Sequence, residues 1–247
     1  MLGLAIDSAN QTASAALWRS SDDSAETAAC HCTIISDGYL SSDEGKADQL
    51  INLIERLLAE QSWDYADLDL IAVNRGPGSF TGIRSAVALA RGLALATELP
   101  VLGVTSHQAV AARLGQGDDD GGPLLVALDA RRGEVYAQTF AAGGRPLSEI
   151  EAKSPHAVVA DLGSGYWRLA GSGAHLVEAA LADESRSRQI ETPPLDATAV
   201  AHAAAARLAE GETPDRGFAL KPLYVRAPDA IPPAPLIKPA PTSEVLA

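Results

Sequence analysis

The densest run of chemistry-bearing residues is Asn74-Arg75-Gly76-Pro77-Gly78-Ser79-Phe80-Thr81-Gly82-Ile83-Arg84. It follows an apolar stretch and precedes a helix-forming one, where the free amides of a helix N-terminus can receive an anion. No Gly-Lys-Ser/Thr follows at the spacing of a nucleoside-triphosphate loop, and Gly76, Gly78 and Gly82 give GxGxxxG instead of the dinucleotide pattern GxGxxG. Two readings of the residues stay open. Arg75, Gly76, Gly78, Ser79, Thr81, Gly82 and Arg84 form an anion site, or the run is a tight strand-to-helix turn with Ser79 or Thr81 as N-cap.

Other constellations are weaker. Cys30-His31-Cys32 is a fragment of a metal site, but no further Cys pair or spaced His completes four ligands, so an ordinary strand is expected there. The histidines are His31, His107, His156, His175 and His202, and no two are four residues apart. A metal-dependent transferase or peptidase needs such a pair on one helical face, so no metal site is expected. No GxSxG nucleophile elbow occurs either.

The elements that must position these residues follow from periodicity. Leu2–Asp7, Ala13–Arg19 and Ala28–Ser36 read as strands, and Lys46–Gln61 has apolar residues at helical spacing, including Leu50, Ile54 and Leu57. Leu70–Val73 is a buried strand, Thr81–Thr97 a helix, Pro100–Val104 a strand and Ser106–Leu114 a helix. This βββαβαβα order resembles the ribonuclease-H-like unit of actin, sugar kinases and heat-shock ATPases. Asp118-Asp119-Asp120-Gly121-Gly122-Pro123 breaks the chain, and the pattern then restarts: Leu124–Asp129 repeats Leu2–Asp7, and Val135–Phe140 repeats the second strand. Trp167–Ala170 is a further strand, Gly171-Ser172-Gly173 turns into a helix through Leu181, and Ala197–Glu210 is a last Ala-rich helix. The expected fold is α/β: two ribonuclease-H-like subdomains of the actin-like ATPase type at 1–117 and 123–220, the second reduced. Residues 221–247 form an extended Pro-rich tail.

Several stretches resemble the TsaB family, formerly grouped with glycoprotease-like proteins. Arg75–Arg84 is similar to its RGPGSFTGxR signature, and Leu4-Ala5-Ile6-Asp7-Ser8 to its opening LAIDTS. Leu95–Val104 resembles LAxxLPxxGV, Ala127–Tyr136 resembles IDARxGEVY, and Pro222–Arg226 resembles PxYLR. The resemblance is strong over 1–140, weak to about 215, and returns at 222–226. One departure is Gly45-Lys46-Ala47-Asp48, which lacks the His-Ser-Glu that often opens the first long helix.

The resemblance implies a non-catalytic subunit required for N6-threonylcarbamoyladenosine in tRNA. Such a subunit activates a TsaD-like transferase together with a TsaE-like ATPase, and a homodimer through the same surface is the alternative. Contact would run through the two long helices, with Leu50, Ile54, Leu57, Val87, Ala90, Leu93 and Ala94 as interface residues. Pattern alone also allows their burial inside one domain, since the second helix is apolar nearly all round. No cofactor is expected to be tightly bound by this chain, with ATP and Mg entering in the complex. In actin-like ATPases, acids at the positions of Asp7 and Asp129 hold Mg-nucleotide, whereas here the same acids could bond their own turns. A self-sufficient actin-like ATPase or small kinase is therefore the first rival, and a metallopeptidase the second, disfavoured by the histidines.

Composition bounds these readings. With 47% apolar and 21% charged residues, the chain has the profile of a soluble globular protein. A net charge of −13 repels phosphate backbones, so tRNA is expected only indirectly, through a partner with a basic surface. The start Met1–Asp7 has no basic n-region, and Ser85–Val104 is interrupted by Arg91, Glu98 and Pro100, so neither a signal peptide nor a membrane span is expected. Two cysteines suit a reducing cytoplasm.

Overall fold

Leu2–Asp7 (β1) is apolar on both faces, as a strand sandwiched between helices must be. It pairs antiparallel with Ala13–Ser21 (β2), which pairs antiparallel with His31–Leu40 (β3). On its other edge it pairs parallel with Leu70–Asn74 (β4), and β4 with Val101–Val104 (β5), giving the order β3-β2-β1-β4-β5. The computed structural model describes residues 1–10, 12–21, 31–40, 46–115, 122–182, 187–216 and 219–226. Gly3 makes room for Trp18, fully buried on β2: a Cβ there would lie 2.3 Å from the indole.

The second sheet repeats the first. Leu124–Asp129 (β6) pairs antiparallel with Val135–Phe140 (β7), β7 with Glu151–Lys153 (β8), and β6 parallel with Trp167–Ala170 (β9). Ser187–Gln189 (β10) completes the order β10-β9-β6-β7-β8, which is the order of the first sheet read from the other edge. The expected duplication of a ribonuclease-H-like unit is present, with β6 lying 122 residues after β1 as the sequence repeat requires.

Helices cover the sheets unequally. Lys46–Glu60 (α1) and Phe80–Thr97 (α2) close one face of the first sheet around Leu4, Ile6, Ile71 and Val73. Their counterparts on the second sheet, Pro155–Asp161 (α4) and Ala174–Glu178 (α5), are far shorter. The third helices, Ser106–Leu114 (α3) and Ala197–Ala209 (α6), pack on each other between the sheets. Through Val110 and Ala111, α3 touches the second sheet, while α6 lays Ala197, Val200, Ala201 and Ala204 against Ala5, Ala16 and Ala72 of the first.

This exchange crosses the expected boundary between the units. The last helix, assigned to the unit 123–220, packs on the first sheet, because its small side chains let it approach the Ala-rich back of β1, β2 and β4. The described start of the expected extended tail, 221–226, carries no helix or strand and runs along both lobes. Leu220 is buried in the first core, and Arg226 reaches the second lobe. The break at 118–121, Cys30 and the prolines beyond Arg226 lie outside the described residues. The third strand runs from His31 to Leu40, later than the expected Ala28–Ser36, and Cys32 on it is in no disulfide among the described residues.

The partner-interface residues also need correction. Leu50, Ile54, Leu57, Val87, Ala90, Leu93 and Ala94 all sit in the first core, each no more than 7% exposed. Most of the large aliphatic side chains of α1 and α2 face the sheet, where they remove the most apolar area from water, while Phe80 and Leu95 stay outside. What α2 presents outward is Phe80, Thr81, Arg84, Ala88, Arg91, Gly92, Leu95 and Ala96.

Candidate functional site

Where the two lobes meet lies a cleft of about 1220 Å³. The first lobe contributes Ala9, Asn10 and Thr12 of the β1–β2 turn with Pro77, Gly78 and Ser79 of the glycine loop. The second contributes Asp129 and Arg131 of the β6–β7 turn, Ser172, His175 and the stretch 189–193.

The glycine loop is built for close approach. Gly76 has φ +107°, open to glycine and costly for other residues, and the Gly76–Pro77 peptide is cis. A Cβ on Gly82 would fall 1.9 Å from the Ser8 carbonyl oxygen, and one on Gly78 would fall 2.5 Å from that of Ala9. The first turn of α2 is thus pressed directly onto the β1–β2 turn. Three of its amides are engaged within the chain. Ser79 N donates to Ala9 O at 2.6 Å, Ser79 Oγ caps the helix by accepting from Gly82 N at 3.3 Å, and Gly76 N donates to Asn74 Oδ1 at 2.9 Å. Of the expected caps, Ser79 is the one used.

Asp7 lies behind this turn, 1% exposed, and does not line the cleft. Its Oδ1 accepts from Asn74 Nδ2 at 2.7 Å and from Ala9 N at 3.3 Å. The Ser106 hydroxyl joins the group, 2.7 Å from Pro77 O and 3.1 Å from Asn74 Oδ1. Asp7, Asn74 and Ser106 form a buried polar knot that holds the loop to the sheet. Asn74 opens the run singled out in the sequence, and Ser106 is expected to start a helix. Neither is among the expected site residues, although an Asn closing an apolar strand just before a glycine loop is a readable signal. Ser8 Oγ is buried beside Gly82 with no hydrogen-bond partner among the described residues.

The remaining site residues separate. Asp129 faces the cleft with a third of its side chain exposed, accepting from Arg131 N at 2.7 Å and lying 3.6 Å from Arg131 Nη1. Thr81 is exposed on α2. Arg84 leaves the loop for the outer surface, where its guanidinium sits 3.5 Å over the Phe80 ring and its Nε donates to Tyr224 Oη at 2.7 Å. Arg75 turns to the opposite side, toward α6 and Glu212. Gly76, Gly78, Ser79 and Gly82, together with Asp7 and Ser8, therefore converge at one turn, while Thr81 and the two arginines point away from it.

A strap and a histidine tie the lobes. Leu223 N donates to Arg75 O at 2.7 Å, and three residues later Arg226 donates to Ala130 O at 2.9 Å and pairs with Glu134. On α3, His107 Nε2 lies 2.9 Å from the Tyr136 carbonyl oxygen of β7. Burial pushes its pKa down to about 4, so at neutral pH the ring is neutral and donates to that oxygen.

Among the described residues no three His, Cys, Asp or Glu side chains gather as a metal site would need, and no helix is long and apolar enough to cross a membrane.

Comparison with known proteins matches this geometry. Residues 43–214 match the family described as TsaD, tRNA N6-adenosine threonylcarbamoyltransferase. The tRNA threonylcarbamoyladenosine biosynthesis protein TsaB of Escherichia coli (strain K12) is 34% identical over 134 residues, 54% of this chain and 52% of that one. The chain thus spans about half the length of that curated relative. An uncharacterized protein of Mycobacterium tuberculosis (strain H37Rv) is 32% identical over 93% of both chains. A crystal structure of YeaZ from Pseudomonas aeruginosa superposes with a TM-score of 0.70 at 26% identity, covering 90% of this chain and 99% of that one. With its duplicated sheets, its glycine loop pressed onto the first turn and these relatives, the chain belongs to the TsaB/YeaZ family, within the wider threonylcarbamoyltransferase family.

Proposed function

We propose that the chain is a non-catalytic subunit of the machinery that makes N6-threonylcarbamoyladenosine in tRNA, docking on a TsaD-like transferase and working with a TsaE-like ATPase. The observation that carries this is the fate of the signature loop. Its glycines bring backbone to within contact of Ser8 and Ala9, and Asp7 is buried in hydrogen bonds to the chain itself. A loop and acid used in this way support the first lobe, with the carboxylate turned away from the cleft. The charge of −13 fits a subunit that leaves tRNA to a basic partner.

The docking face is the outer side of α2, where Ala88, Gly92 and Ala96 recur every four residues beside Leu95, 73% exposed. Small residues at that spacing let a partner helix approach to the short end of the ~8–10 Å packing range. A homodimer through this face is the state of the chain without its partner. Gly92 provides a clean test, because a Cβ there meets nothing within 4 Å. Gly92→Arg is expected to fold and to melt no lower than the parent while failing to co-elute with the transferase. Retained co-elution would remove α2 from the interface. Leu93→Asp is a poor probe, since Leu93 is in the core and the change would unfold the lobe.

A second reading, an actin-like ATPase, is favoured by the cleft and by Asp129 on its wall. Under it, Mg-ATP would bind the isolated chain tightly and Asp129→Ala would abolish binding. Under the first reading, calorimetry shows no tight nucleotide binding to the isolated chain, and ATP with Mg enters only in the assembled complex.

A further inference from the structure

Asp and Glu make up 32 of the 247 residues, yet none lies between residues 70 and 97, and none between 219 and 226. These two acid-free stretches are neighbours in space. Leu223 N donates to Arg75 O at 2.7 Å, and the next residue of the strap, Tyr224, packs against Phe80 in the first turn of α2. On a chain of net charge −13, what they present outward is basic and aromatic. Arg84 and Arg91 stand on the exposed side of α2, seven residues and so two turns apart, about 10.5 Å along the helix. Neither has an ion pair among the described residues.

Arg84 is already fixed within the chain. Its guanidinium carbon lies 3.5 Å from the centroid of Phe80 and 5.5 Å from that of Tyr224, and its Nε donates to Tyr224 Oη at 2.7 Å. Both Nη groups are left without a partner among the described residues. The rings that hold it, 5.9 Å apart, are themselves 57% and 51% exposed, and Leu95 is exposed further along the same helix. A stacked guanidinium has lost its rotamer freedom beforehand, so a carboxylate gains its two parallel bonds at a smaller entropic cost. Aromatic rings and arginine are also the groups that carry most of the affinity at interface centres.

We propose, resting on the docking role given above, that Phe80, Arg84 and Tyr224 anchor a docking face made jointly by α2 and the strap. Its occupant is an acidic helix of the transferase partner, with carboxylates two turns apart meeting Arg84 and Arg91. A second copy fits the anchor less well. A two-fold contact brings the same patch to both sides, so α2 would meet an α2 that has arginines and no carboxylate.

The test is the affinity of the full chain for the TsaD-like transferase, measured by calorimetry at low and at high salt. Arg84→Gln and Phe80→Ala are each expected to weaken binding tenfold or more, and Arg84→Gln to flatten the salt dependence. Arg84→Lys should keep part of the affinity, since it retains the charge without the stacked fork. Arg145→Gln, at an exposed arginine of the second lobe, should leave binding unchanged. A thermal melt of each variant confirms folding. Loss of binding in Gly92→Arg with Arg84→Gln and Phe80→Ala both unchanged would overturn the anchor and leave the docking face standing. Binding retained by Gly92→Arg would remove the docking face, and the anchor with it. Sedimentation of the chain alone tests the other occupant: a homodimer weakened tenfold by Arg84→Gln would make the second copy the ligand of this anchor and overturn the acidic partner.

Discussion

At the first turn of the first lobe, Asp7 is 1% exposed and bonds Asn74 and Ala9. At the equivalent turn of the second lobe, 122 residues on, Asp129 faces the cleft beside the exposed Arg131. The closing loops also differ in means. In the first lobe a long glycine loop donates Ser79 N to Ala9 O and is knotted to the sheet by a buried carboxylate. In the second, the short run Gly171-Ser172-Gly173 is held by Gly173 N on Ala127 O at 2.9 Å and by the Ser172 hydroxyl accepting from Asp129 N at 3.0 Å. Backbone and one serine suffice there, so the carboxylate stays at the surface. The same topology has turned one acid into internal structure and left its twin available. The lobe with the buried acid is also the one with the long helices α1 and α2, which fits a first lobe specialised for support and docking.

The largest expected effect probes the loops themselves. Gly82→Ala places a Cβ 1.9 Å from Ser8 O, and Gly171→Ala combines φ +100° with a 2.2 Å approach to Ala127 O. Each is expected to lose about 3 kcal/mol or more in chemical denaturation. A loss under about 1 kcal/mol for Gly82→Ala would mean that the first loop can move away from the turn. The contact between lobes comes next. His107 titrates near pH 4 in the fold, against its ordinary 6.5. Between these values the unfolded chain binds the extra proton, so stability falls as pH drops from about 6.5 to about 4, by roughly 3 kcal/mol. His107→Gln should flatten that slope in a pH series of melts. An unchanged slope would assign the acid sensitivity to other groups, with His202, also lowered by burial, the first to examine.

The two aspartates give the sharpest contrast. Asp7→Asn removes a buried charge-assisted acceptor and is expected to cost about 2 kcal/mol, whereas Asp129→Asn stays within about 0.5 kcal/mol. Equal costs would break the distinction between the lobes. Smallest is Gly92→Ala, on the open face of α2, which should stabilise the isolated chain by about 0.5–1 kcal/mol because nothing there needs a glycine.

Much of this was legible before the coordinates. The repeat at Asp7 and Asp129 located both first strands, and short apolar, β-rich runs ended by polar turns placed most of the others. Three things were not legible, each for a physical reason. Gly76, Gly78 and Gly82 look the same whether backbone approaches a ligand or another part of the chain, and only the distances to Ser8 and Ala9 decide. On α2, Ile83, Val87 and Leu93 alternate with alanines, so hydrophobic pattern could not say which face is outward; the structure buries Ala86, Ala90 and Ala94 beside them and leaves Ala88, Gly92, Leu95 and Ala96 outward. And α6 is alanine nearly all round, with no sided signal to show that it returns to the first sheet.

The central claim is that this chain serves the modification without performing it. The most direct measurement is a reconstituted assay with the TsaD-like transferase, the TsaE-like ATPase, ATP, threonylcarbamoyl-adenylate and tRNA, run with the chain, without it, and with Gly92→Arg. Modified adenosine is expected only with the unaltered chain, and none from the chain alone. Equal product without the chain, or ATP turnover by the isolated chain at a comparable rate, would contradict the account.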